Sequence, residues 1–246
     1  MSTVLLTSGG TKTPIDSVRA ITNFSKGTFG CHLCNSFLKN GDLVRFLYAR
    51  DSKCPHEFRV DLKKVSSKDA MKQLVERMDF LEKFGVLYVP EEYSDFNGYA
   101  NSLTNLVKLI QPDITVLAAA VSDYAPVKRE GKISSELAKM VIEFEQTPKL
   151  IRQIRDIAPK TFLVGFKLLV GSTEEELLKA MKSQMEKAKT DMVIGNDLRD
   201  ILADKHSLTV LRADGKVTRY SGKPGDKLAD DMVGAITLLR ERKMRQ

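Results

Sequence analysis

Val4-Leu5-Leu6-Thr7-Ser8-Gly9-Gly10-Thr11 opens the 246-residue chain with a short apolar run that breaks into a pair of glycines. An apolar run this brief, bounded by polar and turn residues, reads as a strand buried on both faces, the form strands take in a parallel sheet. The same signature recurs at residues 43–48, 114–120, 162–166 and 192–195. Helical patterns lie between them, at 30–39, 68–84, 100–111, 148–157 and 173–188. The last of these follows Ser172-Thr173-Glu174-Glu175, a start signal with acids in the first turn. Alternation of this kind predicts an α/β fold in three layers, Rossmann-like, around a mostly parallel sheet.

Two stretches depart from the alternation. Residues 207–212 and 216–220 flank Ala213-Asp214-Gly215, which predicts a hairpin around an Asp-Gly turn. A closing helix follows at about 227–242. Residues 125–146 contain Pro126, Gly131 and the β-favouring Val141-Ile142-Glu143-Phe144, and they read as a two-stranded flap. With no repeats or linkers, and roughly 100–200 residues per domain as the norm, residues 1–246 are expected to form a single domain.

Composition narrows the function classes. Hydrophobic residues make up 42% of the chain, enough for a packed core and against disorder. A run of about 18 apolar residues is absent and Met1-Ser2-Thr3 carries no basic lead, so neither a membrane span nor a signal peptide is expected. Three cysteines suggest a reducing, cytoplasmic location. The 39 Lys and Arg exceed the 32 Asp and Glu by +7, which suits nucleic acid or small phosphorylated ligands. The cations are scattered among acids, without the aromatic-laced stripe of a nucleic-acid surface. Their one dense run, Arg240-Glu241-Arg242-Lys243-Met244-Arg245, ends the closing helix, where cations suit the dipole. No nucleic-acid partner and no membrane are expected.

The chemistry gathers at strand exits. After the first strand come Arg19 and Asn23-Phe24-Ser25-Lys26-Gly27-Thr28-Phe29-Gly30, a glycine-bearing loop opening directly into a helix. Glycines let the backbone approach an anion, and free amides at a helix start favour negative charge. The spacing matches neither a Walker loop nor Gly-x-Gly-x-x-Gly. Leu117-Ala118-Ala119-Ala120-Val121-Ser122-Asp123-Tyr124 ends another strand with an acid where open α/β sheets bind ligands, although Asp is also common in turns. Gly165-Phe166-Lys167 offers a stacking face, and Gly195-Asn196-Asp197 offers an amide and a carboxylate suited to a ring edge or ribose hydroxyls. Four such exits describe a nucleotide-sized crevice.

Taken in order, Ser8-Gly9-Gly10-Thr11, Val18-Arg19, Asn23-Phe24-Ser25-x-Gly27-x-x-Gly30, Ala118 to Pro126, Gly165-Phe166-Lys167 and Asn196-Asp197 resemble the phosphopantothenate–cysteine ligase family in its stand-alone form. The resemblance covers nearly the whole chain. It implies a ligase that joins 4′-phosphopantothenate to cysteine through an acyl nucleotidylate, with CTP or ATP as co-substrate and Mg2+. It implies nucleotide contacts at Gly9, Ser25, Gly27, Gly30, Phe166 and Asn196. Asn23, Ala119, Ala120 and Asp123 are implied to hold the pantothenate part, with Asn23 and Asp123 also among the catalytic residues. Arg19 is implied to reach a partner's substrate in a homodimer, and Lys132 to close over the reacting phosphate. Lys26 and Leu168-Leu169 depart from the family pattern, leaving the choice between CTP and ATP open.

Other readings compete. Cys31-His32-Leu33-Cys34 with Cys54 and His56 has half the spacing of a zinc site, but small apolar side chains on the first helix are the simpler explanation and no metal is expected. An NAD(P)- or flavin-binding oxidoreductase shares the fold class but needs a different glycine spacing and an acid ending the second strand, which exits as Ala49-Arg50-Asp51. A non-enzymatic nucleic-acid binder rests on the charge alone.

Overall fold

Val4, Leu5 and Leu6 have no solvent exposure, and their alternation sets the layers: Val4 and Leu6 pack to one side of the sheet and Leu5 to the other. They belong to β1 (Thr3–Ser8), the first element in the computed structural model, which describes residues 1–56, 66–127, 131–133, 138–202, 206–222 and 226–245. The chain continues through β2 (Lys12–Pro14), β3 (Ala20–Thr22), α1 (Thr28–Lys39) and β4 (Leu43–Ala49). Then come α2 (Ser67–Phe84), β5 (Tyr88–Tyr93), α3 (Phe96–Ile110), β6 (Ile114–Leu117), β7 (Tyr124–Pro126) and β8 (Phe144–Gln146). The remainder is α4 (Ile151–Ile157), β9 (Phe162–Leu169), α5 (Glu174–Ala188), β10 (Met192–Asp197), α6 (Leu198–Leu202), β11 (His206–Arg212), β12 (Val217–Gly222) and α7 (Asp226–Met244).

Eight strands form the main sheet in the order β12-β11-β10-β9-β6-β1-β4-β5. The run from β10 to β5 is parallel, and β11 and β12 add antiparallel at one edge. Chain order departs in opposite directions from β1 and β6, which makes their shared carboxyl end the topological switch point where such sheets bind ligands.

Helices cover both faces. Leu33 and Phe37 of α1, with Met232 and Ile236 of α7, pack on Val4, Leu6, Phe46, Val116, Val164 and Ile194. On the reverse, Leu103 and Val107 of α3 and Ile154 of α4 cover Leu5, Leu47 and Leu163. There α5 adds Leu177 and Met181 over Val193 and Leu211. Each such side chain contributes roughly 1.5–3 kcal/mol by leaving water. Helix starts follow local chemistry. Ser66 accepts the Asp69 amide, Asp95 accepts that of Gly98, and Thr173 and Glu176 form a reciprocal capping box.

The three-layer, mostly parallel α/β architecture, the C-terminal hairpin and the closing helix follow the sequence reading. Several boundaries move. β6 stops at Leu117, because residues 118–120 turn across the end of β1. β5 and the β2–β3 ribbon were not anticipated. Pro90, Glu91 and Glu92 interrupt the apolar signal of β5, which a sheet edge tolerates. The flap is two-stranded only where β7 meets β8, and Val141 to Glu143 lie outside any strand. Residues 128–130 and 134–137 of the expected flap lie outside the described residues. No helix among the described residues is long and apolar enough to cross a membrane.

Candidate functional site

At the switch point the ends of β1 and β6 are stitched together by backbone. The Ala120 amide donates to Gly9 O at 2.7 Å, the Thr11 amide donates to Ala120 O at 3.1 Å, and the Ala119 amide donates to Thr7 Oγ1 at 3.2 Å. Asn23 enters this seam from the loop before α1. Its Nδ2 donates to Ala120 O at 2.7 Å and lies 3.3 Å from Ser122 Oγ. Ser122 is itself held by the Thr11 hydroxyl and, through its carbonyl, by Thr147 Oγ1 at 2.6 Å. Asp123 follows, with its carbonyl bound by the Thr147 amide and its exposed carboxylate paired with Lys149. Asn23, Ala119, Ala120 and Asp123 therefore share one connected network.

The residues expected around a nucleotide lie on the α1 side. Gly9, at φ +85°, has no room for a side chain, since a Cβ would stand 2.6 Å from that of Ala49. Gly27, at φ +68°, begins α1 with no side-chain cap, and Ser8 Oγ donates to its carbonyl at 3.2 Å. Gly30 lies so close that a Cβ would meet Ser8 Cβ at 2.7 Å, bringing the helix start down onto the end of β1. With neither a capping side chain nor an acid in the first turn, the leading amides of α1 and its dipole face the crevice without an anion of their own. Phe166 meets Phe29 of α1 edge-on at 6.2 Å. Asn196 follows Ile194 by two residues in β10, so alternation turns it to this same side. Ser25 stands exposed in the connecting loop.

Asp197 departs from its expected use. Gly171 N and Arg199 N bind its Oδ1, Ser172 N and Oγ bind its Oδ2, and these donors, led by the Gly171 amide, lower its pKa to about 2. Its carboxylate braces the loop after β9 and is not offered to a ribose.

The turn carrying Arg19 meets the segment carrying Lys132 at the base of the flap. Asp16, almost wholly buried, accepts the amides of Val18, Arg19 and Ile133, and Arg19 donates to Ile133 O at 2.9 Å. The Val18 amide foremost, then those of Ile133 and Arg19, hold the Asp16 carboxyl below its ordinary range against the opposing cost of burial. Ser17 N binds Gly131 O at 3.0 Å. Lys132 thus sits exposed on a segment seated, at Gly131 and Ile133, upon the turn that carries Arg19. Arg19 is engaged here within its own chain.

Sequence reasoning missed Asp16, Thr147 and Lys149. Asp16 had a visible signal, a short polar residue in Pro14-Ile15-Asp16-Ser17, but its flap partner was invisible. Cys34 and Cys54 belong to the core beneath α1, where burial pushes the Cys34 thiol up, and Cys54 Sγ lies 3.5 Å from His56 Nε2.

A family model described as the DNA/pantothenate metabolism flavoprotein C-terminal domain matches residues 1–85 and 99–239. The chain is 30% identical over 213 residues to the coenzyme A biosynthesis bifunctional protein CoaBC of Thermococcus kodakarensis, an alignment covering 86% of this chain and 45% of that protein. It is 33% identical over 224 residues to phosphopantothenate–cysteine ligase 1 of Arabidopsis thaliana, covering 79% of this chain and 69% of that one. Its fold is similar to that of a Cab2 variant in complex with phosphopantothenate-cysteine, at a TM-score of 0.85 with 23% identity, across 98% of this chain and 87% of the other. The chain spans less than half the length of the CoaBC relatives that it matches.

Proposed function

The chain belongs to the DNA/pantothenate metabolism flavoprotein C-terminal domain family, and we propose that it ligates 4′-phosphopantothenate to cysteine at the expense of a nucleoside triphosphate, CTP or ATP, with residues 1–246 working as a single domain. The observation that carries this reading is the seam at the switch point, where Asn23 is bonded to Ala120 beside the uncapped start of α1. It sets a polar slot for a carboxylate-bearing arm next to a cradle for phosphates.

The chemistry needs no protein nucleophile. A pantothenate carboxylate oxygen attacks the α-phosphorus; the bond to the bridging oxygen breaks and pyrophosphate leaves with the electron pair. The cysteine nitrogen then attacks the acyl carbon, a C–N bond forms, and the C–O bond to the nucleotide breaks. The nucleoside monophosphate departs and the amine proton passes to solvent. Catalysis of this kind is positioning and charge neutralisation.

In this assignment Gly9, Ser25, Gly27 and Gly30 receive the phosphates through backbone approach and α1 amides, with Phe166 and Asn196 beside the base and ribose. Asn23, Ala119, Ala120 and Asp123 hold the pantothenate arm. Lys132, brought over from the flap, neutralises the reacting phosphate, and Arg19 serves a partner's substrate in a homodimer. No cluster of three or more His, Cys, Asp or Glu among the described residues could hold a metal. In this scheme magnesium arrives with the triphosphate, as Mg2+ commonly does. Three cysteines, too few to staple a domain of this size, fit a reducing compartment, the cytoplasm.

The test is pyrophosphate release with phosphopantothenate, magnesium and CTP or ATP, with and without cysteine. Nucleotide-dependent release and a C–N-linked product support the reading; folded protein that turns over neither nucleotide removes it. Lys132→Ala should lower turnover by about 10²-fold while leaving oligomeric state unchanged.

A further inference from the structure

Three cysteines, a histidine, two tyrosines and an arginine gather on the α1 side of the sheet, behind the loop that opens α1. Cys54 and His56 lie in the loop after β4, Tyr48 stands near the end of β4, and Tyr88 opens β5. Cys31 and Cys34 belong to α1 and Arg77 to α2.

His56 organises the centre of this group. Cys54 is 7% exposed, and its Sγ lies 3.5 Å from Nε2 of the exposed His56. The other ring nitrogen, Nδ1, lies 2.7 Å from Tyr88 Oη, and Tyr48 Oη approaches Nε2 at 3.4 Å. With its proton on Nδ1, the neutral imidazole donates to Tyr88 Oη and leaves Nε2 to accept from the Cys54 thiol. Arg77 is an independent observation. Its Nε and Nη2 are buried with no hydrogen-bond partner among the described residues, while its Cζ stands 4.8 Å from the centre of the Phe80 ring. Burial depresses the ionisation of this guanidinium, and Cys31, Tyr88, Cys54 and Cys34 oppose that effect from around it. A buried cation without an anion is costly, and a thiolate formed beside it offsets the cost. An imidazole base and a guanidinium next to a thiol are the surroundings in which thiolates form.

The Cys54 loop also backs the helix start. The Lys53 amide donates to Lys26 O and the Cys31 amide to Gly27 O, each at 2.9 Å. Ser52 Cβ occupies the space beside Gly9 and Gly27, where an added Cβ would stand 2.7 and 2.8 Å away. We propose that Cys54 is a redox-sensitive thiol oxidised by small hydroperoxides, and that its oxidation loosens the cradle formed by Gly9, Gly27 and the start of α1. The thiol proton passes to His56 Nε2. The thiolate sulfur attacks a peroxide oxygen; an S–O bond forms and the O–O bond breaks. The leaving oxygen takes the proton back from His56, which gives water and a sulfenic acid at Cys54. Sulfur is oxidised and the peroxide is reduced. A small peroxide suits a thiol this little exposed. The added oxygen needs room in a packed neighbourhood, so the loop must shift against Gly27. The oxidation itself is independent of the ligase reading; its effect on nucleotide rests on that reading.

The experiment treats folded protein with hydrogen peroxide, removes the peroxide, and alkylates in denaturant to score each cysteine by mass spectrometry. Cys54 should become blocked and should be recovered by dithiothreitol. Blocking should slow about tenfold or more in His56→Gln, which removes the base, and should also slow in Tyr88→Phe, which keeps the ring but not the hydroxyl. Circular dichroism checks that each variant is folded, and either variant suffices if the other is not. Exchange of labelled pyrophosphate into CTP or ATP, run with phosphopantothenate and no cysteine, should show a nucleotide KM raised severalfold by peroxide and restored by dithiothreitol. Cys54→Ser should exchange normally and ignore peroxide. A Cys54 that stays open to alkylation overturns the inference. So does blocking at an unchanged rate in the folded variants, or an unchanged nucleotide KM when Cys54 is blocked. Absence of exchange in the unsubstituted protein, by contrast, removes the ligase reading and leaves the alkylation result to decide the oxidation.

Discussion

Asp16 and Ile133 lie 117 positions apart in the chain, yet the Ile133 amide donates to the Asp16 carboxylate across 3.1 Å. The same carboxylate organises the turn carrying Arg19, so one buried acid joins the β2–β3 ribbon to the segment that bears Lys132.

Asp16→Asn should unseat that segment, because an amide group turns one donor toward amides that need acceptors. Turnover should fall by about 10²-fold, as a misplaced catalytic group costs, while the nucleotide KM stays close to that of the unsubstituted protein. The pH dependence has a defined sign. The folded-state pKa is depressed, so the stabilisation is fully present above the ordinary value of 3.8 and is lost as pH falls through the folded value. In acid unfolding monitored by circular dichroism, the stability advantage of the unsubstituted protein over Asp16→Asn should shrink as pH falls below 3.8.

Asn23→Ala removes the donor to Ala120 O. Ligation should drop by about 10²–10³-fold, the usual cost of losing a positioned polar group at a reacting centre. Thermal stability should fall by only about 1 kcal/mol, since Asn23 is half-buried and water can replace its bond. A steady-state assay beside a melting curve separates the two effects.

Gly30→Ala sets two magnitudes against each other. Alanine favours a helix interior by about 1 kcal/mol over glycine. The new Cβ would stand 2.7 Å from Ser8 Cβ, and overpacking of that kind costs about 1–3 kcal/mol. Net destabilisation is expected, with weakened nucleotide binding as α1 lifts from β1. Adding Ser8→Gly should restore part of the loss, which a double-mutant cycle measures.

Asp197→Asn should change the acid limb of stability. The carboxyl titrates at about 2 in the folded protein, so its contribution is present above about 3.8 and disappears as pH falls toward 2. The variant should be less stable at neutral pH, and the difference from unsubstituted protein should shrink below pH 4 in denaturant titrations.

Buried parallel strands were legible because both faces are apolar, as at Val4 to Leu6 and Phe162 to Val164. β5 escaped because an edge strand need satisfy only one neighbour, so Pro90 and two glutamates could enter it. Of the candidate site, the glycines and Asn23 were legible through local geometry: a tight approach or a loop entering a helix leaves its mark in adjacent residues. The commitments of Asp16, Asp197 and Lys149 were not, since each depends on a partner supplied by a different element. Residue type announced a carboxylate at Asp197; only the fold revealed that two loop amides had already claimed it.

The central position of β1 also governs how the chain matures during synthesis. β1 is made first but lies between β4 and β6, so its β4 edge can pair once residues 43–49 exist, whereas its other edge waits for residues 114–117. At about 5–20 residues per second, the nascent protein carries an unpaired backbone edge on this strand, with Val4 to Leu6 at its centre, for several seconds. That interval, rather than any feature of the finished protein, is when this fold is most exposed to misassembly.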